Sequence, residues 1–267
     1  MNAFSKDWLA LREPADHAAV NHHVRRSLLA HLAPRETVSI VDLGCGTGSN
    51  FRGLAPDIAC RQRWTLVDYD AALLAHAETL NHDVIPGRGE ITYRQLDFSD
   101  GDIAELAAGN DLVTAAALFD LISEETIARM AGAIAEAGAA FYTVLTYDGI
   151  AAWLPETPAA SDLRDAFNRH QRGDKGFGPA AGPAATDVLR KAFERHGYTT
   201  VTGKSPWILD ESFVELRRET DRGWVAAVVE ADALTVEDGE AWLDNRANDP
   251  DAVTIVGHAD LLALPPA

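Results

Sequence analysis

Residues 38–50 read VSIVDLGCGTGSN and decide the fold of this 267-residue chain. The first half, VSIVDLG, is a compact run of β-branched and aliphatic residues, which is typical of a strand buried on both faces. Three glycines then stand at alternate positions, Gly44, Gly46 and Gly48. Glycine permits positive φ and lacks the Cβ that would hold a ligand away from the backbone. The stretch predicts a strand that runs into a tight turn, with unpaired N–H groups of the next helix facing an anionic ligand group.

Outward from this turn, strands and helices alternate. Strands are predicted at 63–68, 91–97, 111–119 and 139–149, with helices at 72–83 and 124–137. This spacing predicts a parallel sheet with helices on both faces, joined by right-handed crossovers. We therefore expect an α/β fold, a three-layer sandwich around a mostly parallel sheet of about seven strands.

The regions flanking this pattern are expected to cover the sheet's ligand cleft. An N-terminal helix is predicted at 15–32 and a substrate cap at about 150–183, where prolines interrupt the pattern. A helix at 184–196, a strand at 198–202, helices at 211–233 and 237–245 and a closing strand within 252–265 follow. We expect one domain over residues 1–267, because the last strand would rejoin the first sheet.

The charge composition of the chain indicates which classes of binding partner to expect. Forty-one acidic residues against twenty-three Lys and Arg leave a net charge of −18, which disfavours nucleic acid and membrane surfaces as partners. Solubility alone is the simplest interpretation of this charge. Two cysteines give no disulfide framework, and the sequence shows neither a signal peptide nor an apolar run long enough to span a bilayer. We expect a cytoplasmic protein.

The glycine spacing distinguishes between two kinds of nucleotide site. A dinucleotide-binding G-x-G-x-x-G turn would need glycine at position 49, where Ser49 stands. The observed G-x-G-x-G, preceded by Asp42, resembles the first motif of class I (Rossmann-like) S-adenosylmethionine-dependent methyltransferases. The resemblance covers residues 12–146 well and 254–258 more loosely. It implies S-adenosylmethionine as cofactor, S-adenosylhomocysteine as product, and a cofactor-binding turn formed by Asp42, Gly44, Cys45, Gly46 and Gly48.

Acidic residues at the ends of later strands extend this site. Asp68 ends the second strand where a nucleoside-binding unit expects a carboxylate for the ribose hydroxyls; the alternative is a helix cap, which Asp70 could provide equally well. Tyr69, the next residue in the sequence, is also predicted to bind the cofactor. The resemblance also implies an adenine contact at Asp97 and Phe98, for which a capped turn is the alternative.

The fourth strand's end, at 116–120, resembles the motif that lines the methyl donor, which implies contacts from Ala117 and Leu118. Asp120 follows them and either faces the substrate as a catalytic group or caps the next helix. Arg12 either clamps the cofactor's carboxylate through two parallel hydrogen bonds or lies solvated at the surface.

Acceptor recognition is expected from loops beyond the fifth strand. The segment FNRHQRGDKGFGP, residues 167–179, concentrates basic residues in an acidic chain, which favours a polar or anionic acceptor bound by Arg172 and Lys175. His170 would serve as the base, although a solvated basic turn explains the same pattern. Further candidate substrate-binding residues are Tyr147, Asp148 and Trp207; for Trp207, core packing is the simpler interpretation.

Other functions remain open at this point. No metal site is expected, because His22 and His23 are adjacent and no H-E-x-x-H or C-x-x-C motif occurs. A non-catalytic nucleoside-binding regulator or assembly subunit would keep the same pocket without turnover. A nicotinamide-dependent oxidoreductase is the third possibility, opposed by Ser49. The sequence indicates a small-molecule methyltransferase and names no acceptor.

Overall fold

The computed structural model describes residues 5–97, 103–157, 160–173 and 178–266, and at its centre is an eight-stranded sheet. The strands are β1 Thr37–Leu43, β2 Arg61–Asp68, β3 Gly89–Gln95, β4 Leu112–Ala116, β5 Ala140–Leu154, β6 Thr199–Lys204, β7 Trp207–Leu209 and β8 Val253–Leu264. The helices are α1 Lys6–Ala19, α2 His22–Leu32, α3 Ser49–Leu54, α4 Ala71–Asn81, α5 Ile103–Ala107, α6 Glu124–Glu136, α7 Ala160–Gln171, α8 Ala185–Arg195, α9 Val214–Glu230 and α10 Val236–Ala247.

The strand order is β3-β2-β1-β4-β5-β8-β6, with β7 also paired to β8. Strands β1 to β5 are parallel, and β8 runs antiparallel to β5, β6 and β7. The predicted α/β architecture is confirmed. The sheet has eight strands instead of seven because the twelve-residue β8 extends past β6, leaving an edge at 254–256 that the short β7 covers.

Two apolar clusters pack on opposite faces of the sheet, which gives the three layers. One contains Val24 and Leu28 of α2 with Phe51 of α3 packed edge-on against Trp64. The other, which includes residues of α6 and α8, has Phe141 between Phe119 and Phe193, with Phe193 stacked at 4.8 Å. Within the described ranges, no helix has the length and apolar character to cross a bilayer.

The predicted N-terminal helix at 15–32 is two helices. The helix is interrupted at Asn21. The side-chain oxygen of Asn21 accepts hydrogen bonds from the N–H groups of His23 and Val24 and so caps α2. The Asn21 backbone N–H leaves the helical pattern and donates to the buried Asp260 carboxylate at 2.7 Å. The first helix also begins earlier than predicted, after the cap Ser5.

The predicted cap at 150–183 is partly regular structure. Strand β5 continues to Leu154 through two register shifts against β8, and α7 then spans residues 160–171. Phe167 of α7 stacks on Trp224 of α9 with ring centroids 3.7 Å apart. The helix is thus held to α9 and not extended into solvent. Residues 158–159 and 174–177, which include the predicted substrate contact Lys175, lie outside the described residues.

Candidate functional site

A cleft lies at the carboxyl ends of β1 to β5, under α1 and α2. Every one of these five strands, or the turn after it, contributes to its wall, and the strand order reverses at β1. Open α/β sheets bind ligands at this switch point. The cleft encloses about 1250 Å³ of empty space, its open mouth included, so a ligand of nucleoside size has room there.

The glycine turn has the backbone that the sequence predicts. Gly44, Gly46 and Gly48 have φ of +65°, +53° and +85°, a region that side chains disfavour. Gly44 and Gly46 line the cleft together with Cys45. A Cβ on Gly46 would stand 3.2 Å from Leu9 of α1, whereas one on Gly48 would collide with Asn81 of α4. Gly48 therefore serves close helix packing, and its cofactor contact stays a prediction.

Asp68, at the end of the neighbouring strand β2, stabilises the glycine turn by hydrogen bonding. Its carboxylate accepts the Gly46 N–H at 2.8 Å and the Asp70 N–H at 2.9 Å, and it lines the cleft. Burial raises its pKa, against the lowering effect of these hydrogen bonds. The helix cap is made by Asp70, which accepts from Ala72 and Leu73. Asp68 is thus left to face the ligand.

Asp42 lies beneath the turn and not in the cleft wall. It is fully buried, and burial raises its pKa to about 7. Asn50 donates to its Oδ1 at 2.8 Å and to the Thr114 hydroxyl at 3.1 Å, while Oδ2 has no partner. Asn50 itself lines the cleft. Sequence analysis missed Asn50, whose only signal was a polar side chain in the first turn after the glycines.

The end of the cleft at β2 and β3, where the nucleoside is predicted, is formed by Tyr69, Leu73, Leu96 and Asp97. Tyr69 and Asp97 are exposed at the mouth, and Leu73 is buried. The predicted contacts of Tyr69 and Asp97 with the cofactor stay predictions. Phe98, the other predicted adenine contact, lies outside the described residues.

At the other end of the cleft, two non-glycine residues have a left-handed backbone conformation. Ala117 and Leu145 have φ of +50° and +58° and both line the cleft, as does the predicted Leu118. Ala117 donates to the Val144 carbonyl at 3.0 Å, and Leu145 donates to Asp260 at 2.9 Å. Left-handed non-glycine residues persist where surrounding contacts hold them, and they concentrate at functional sites.

Arg12 lies inside the cleft and not at the solvated surface that the sequence also allowed. Its guanidinium makes two hydrogen bonds to Asp16, at 2.8 and 3.1 Å, and lies 4.9 Å above the Trp207 ring. The Trp207 indole donates to the same Asp16 carboxylate at 3.0 Å. Trp207 is therefore connected to the cleft through Asp16 and is not part of its wall.

Asp120 is a buried carboxyl group with one oxygen, Oδ1, that has no hydrogen-bond partner. Burial raises its pKa to about 6, while Arg12 and a backbone hydrogen bond from Tyr147 act in the lowering direction. It does not cap α6, because Ser123 accepts the Thr126 N–H there. Leu118 and Leu121, on either side of it in the sequence, line the cleft, whereas Asp120 itself is not part of the cleft wall.

The other predicted substrate residues do not contribute to the cleft wall. The Tyr147 hydroxyl donates to Asn168 at 2.8 Å, and Asp148 pairs with Lys204 at 2.7 Å. His170 on α7 has its Nε2 3.8 Å from the Glu230 carboxylate. Arg172 is exposed just beyond α7. Their roles stay predictions. The described residues hold no group of three or more His, Cys, Asp or Glu arranged for a metal ion.

Comparison with known proteins identifies one sequence family and one fold. Residues 40–138 match the family model described as a methyltransferase domain. No curated protein matches the chain.

Several solved structures share the fold. The YcgJ protein of Bacillus subtilis is 12% identical with a TM-score of 0.51, covering 92% of this chain and 100% of its own. A SAM-dependent methyltransferase of Geobacter sulfurreducens, in complex with S-adenosyl-L-homocysteine, is 16% identical with a TM-score of 0.50 and full coverage of both chains. The cyclopropane synthase MmaA2 of Mycobacterium tuberculosis is 12% identical with a TM-score of 0.51, covering 96% and 94%. At these identities the likeness is one of fold.

Proposed function

We propose that this chain is a class I S-adenosylmethionine-dependent methyltransferase, which transfers a methyl group from S-adenosylmethionine to a small-molecule acceptor. The match of residues 40–138 to a methyltransferase-domain model supports this proposal. The observation that carries the proposal is the hydrogen bond from Gly46 to Asp68 across a turn of left-handed glycines. This hydrogen bond holds the Gly46 backbone, which carries no side chain, next to the Asp68 carboxylate at the switch point of the sheet.

The residues of the cleft fit this cofactor. A side chain on Gly46 would be squeezed against Leu9, so the backbone there is free to approach a ligand closely. Asp68 keeps lone pairs beyond the two that its backbone donors use, and a carboxylate can accept both vicinal hydroxyls of a ribose. Tyr69 and Asp97 would flank the adenine, and Arg12 would meet the amino-acid carboxylate.

When bound, the sulfonium cofactor supplies an activated methyl group, so the protein's main task is to orient the acceptor. Orientation alone contributes roughly 7–11 kcal/mol to such reactions. Ala117, Leu118 and Leu121 would form the wall against which the acceptor lies in line with the carbon–sulfur bond. An oxygen or nitrogen acceptor that carries a proton must lose it as the new bond to carbon forms.

Asp120 is the residue that would take this proton. Its unpartnered Oδ1 and its raised pKa, to about 6, are those of a buried general base. His170 is the alternative base from the sequence, although it faces Glu230. Arg172 and Lys175, with Tyr147 and Asp148, would contribute to acceptor binding from the cap.

A binding measurement tests the cofactor assignment. We expect isothermal titration of the wild-type protein with S-adenosylmethionine and S-adenosylhomocysteine to show saturable binding, and Asp68→Asn to weaken both at least about tenfold by losing an acceptor. Asp83→Asn, at a side chain 87% exposed, is the matched control. Absence of heat with either nucleoside at millimolar concentration would remove the proposal. Tighter binding of reduced nicotinamide cofactor, followed by fluorescence, would favour the oxidoreductase.

Transfer of labelled methyl groups to a metabolite extract then separates an enzyme from a non-catalytic binder. Binding without transfer to any metabolite would favour the regulator or assembly subunit. For cellular context, both cysteines are free thiols, which supports a reducing compartment such as the cytoplasm. The net charge of −18 supports small molecules over nucleic acid as partners.

A further inference from the structure

The cleft has an inner end that the proposed cofactor contacts do not use. There Tyr142, Val144 and Leu145 of β5 face α2 and α3. Val20, Arg25, Gly53 and Leu54 also line the cleft here, and so does His17, whose ring lies beside Gly53 and 2.9 Å from the Ser49 carbonyl oxygen. We refer to this inner end, bounded by Tyr142, Arg25 and these apolar side chains, as the β5 pocket.

Tyr142 presents its hydroxyl to the β5 pocket. The side chain is 1% exposed and lines the cleft, yet its hydroxyl makes no hydrogen bond within the described part of the chain. Burial and the nearby Asp260 carboxylate raise its pKa, and Arg25 acts in the opposite direction. The phenol therefore remains protonated at neutral pH and is available as a donor.

Arg25 supplies a second donor. Its Nη2 donates to the Gly53 carbonyl and pairs with Asp57 at 2.9 Å, whereas its buried Nε has no partner. The Asp57 side chain is 51% exposed, so solvent screens that pair. Tyr142 and Arg25 thus offer an O–H and an N–H beside one positive charge, with His17 as a further polar side chain among apolar walls. An oxyanion fits these donors better than a neutral group does.

The sheet separates this pocket from the nucleoside end. Asp97 follows β3 and Tyr142 lies on β5, four strands away in the order β3-β2-β1-β4-β5. At a strand spacing of about 4.8 Å, this distance is roughly 19 Å. A cofactor with its adenine at β3 and its ribose at Asp68 of β2 would reach its amino-acid end near β1 and Arg12. The space over β4 and β5 is then left for the acceptor.

We propose that the β5 pocket binds a carboxylate group of the methyl acceptor, with the Tyr142 hydroxyl and the Arg25 Nε–H as its donors. This inference rests on the proposed function, because it assigns the acceptor to the space beside the bound cofactor. The acceptor class is a small carboxylic acid with an apolar body, which Val20, Leu54, Val144 and Leu145 would enclose.

The test uses benzoate as probe and benzamide as its neutral counterpart, titrated by calorimetry into the full-length protein saturated with S-adenosylhomocysteine. We expect benzoate to bind and benzamide to bind at least about tenfold more weakly, because only the carboxylate gains charge-assisted hydrogen bonds. Tyr142→Phe and Arg25→Lys should each weaken benzoate about tenfold or more. Neither should change affinity for S-adenosylhomocysteine.

Tyr198→Phe is the matched control, since it also removes a buried hydroxyl, one that donates to the Ala139 carbonyl outside the cleft. It should leave benzoate binding unchanged. Three results would overturn the proposal: equal benzoate affinity in wild type and Tyr142→Phe, no benzoate binding at about 10 mM, or a loss of S-adenosylhomocysteine affinity in Tyr142→Phe matching that of benzoate. The last would assign the pocket to the cofactor. Failure of the wild type to bind S-adenosylhomocysteine would instead count against the proposed function.

Discussion

Asp42, Asp68 and Asp120 show how differently three carboxyl groups can be held at one edge of a sheet. Asp68 is stabilised by two backbone N–H groups and Asp42 by the Asn50 amide. Asp120 has no side-chain donor to its Oδ1. Because proton transfer needs an oxygen that is not already engaged, Asp120 is suited to be the base and Asp68 to remain an ionised hydrogen-bond acceptor.

The pH dependence of methyl transfer tests the role of Asp120. A base must be ionised, so kcat/KM should rise with pH through about 6, the value to which burial raises the pKa of Asp120. Asp120→Asn should remove this limb and lower turnover roughly 10²–10⁴-fold, with unchanged affinity for S-adenosylhomocysteine. His170→Ala is the comparison. If it removes the limb and Asp120→Asn does not, the histidine is the base.

Helices and strands that are specified by their own residues could be predicted from the sequence. Strands that depend on pairing with a distant segment could not. The β-branched run of β1 and the glycines after it identified the strand and its turn from neighbouring residues alone. By contrast, β7 and the continuation of β5 to Leu154 exist because β8, some hundred residues beyond β5, offers them an edge. Arg25 and Tyr142 were missed for the same reason, since their significance depends on a pocket assembled from distant segments.

The junction between α1 and α2 gives a prediction at this scale. Asn21→Ala removes the cap of α2 and the side-chain hydrogen bond to the Lys204 carbonyl at 2.8 Å. We expect the free energy of unfolding to fall by about 1–2 kcal/mol, as measured by urea denaturation. Asn21→Ser restores a capping oxygen and should recover most of the loss. An Asn21→Ala protein as stable as wild type would contradict the capping role.

For the whole molecule, buried carboxyl groups reverse the usual dependence of stability on pH. A carboxyl whose pKa is raised on folding holds its proton more tightly in the folded state than in the unfolded state. Its contribution is complete below the unfolded pKa and is lost as pH rises through the folded pKa. Burial raises the pKa of Asp42 from 3.8 to about 7, so this loss falls between about pH 4 and 7.

Asp42→Asn measures that contribution. The stability of the ligand-free wild type relative to the variant should decline as pH rises from 4 to 7, with a slope of at most about 1.4 kcal/mol per pH unit for one proton. Chemical denaturation at a series of pH values provides the curve. Asp83→Asn, at an exposed side chain, should run parallel to wild type. A constant difference between wild type and Asp42→Asn would show that Asp42 titrates normally.

Strand β8 comes last in the sequence but lies inside the sheet, between β5 and β6. During synthesis, β1 to β5 and the glycine turn leave the ribosome before β8 does, so the nucleoside half of the cleft can assemble first. Asp260 on β8 then reaches back to Leu145 and Asn21. The β5 side of the cleft, where we propose that the acceptor binds, is therefore completed by long-range contacts, which are the slow contacts in folding.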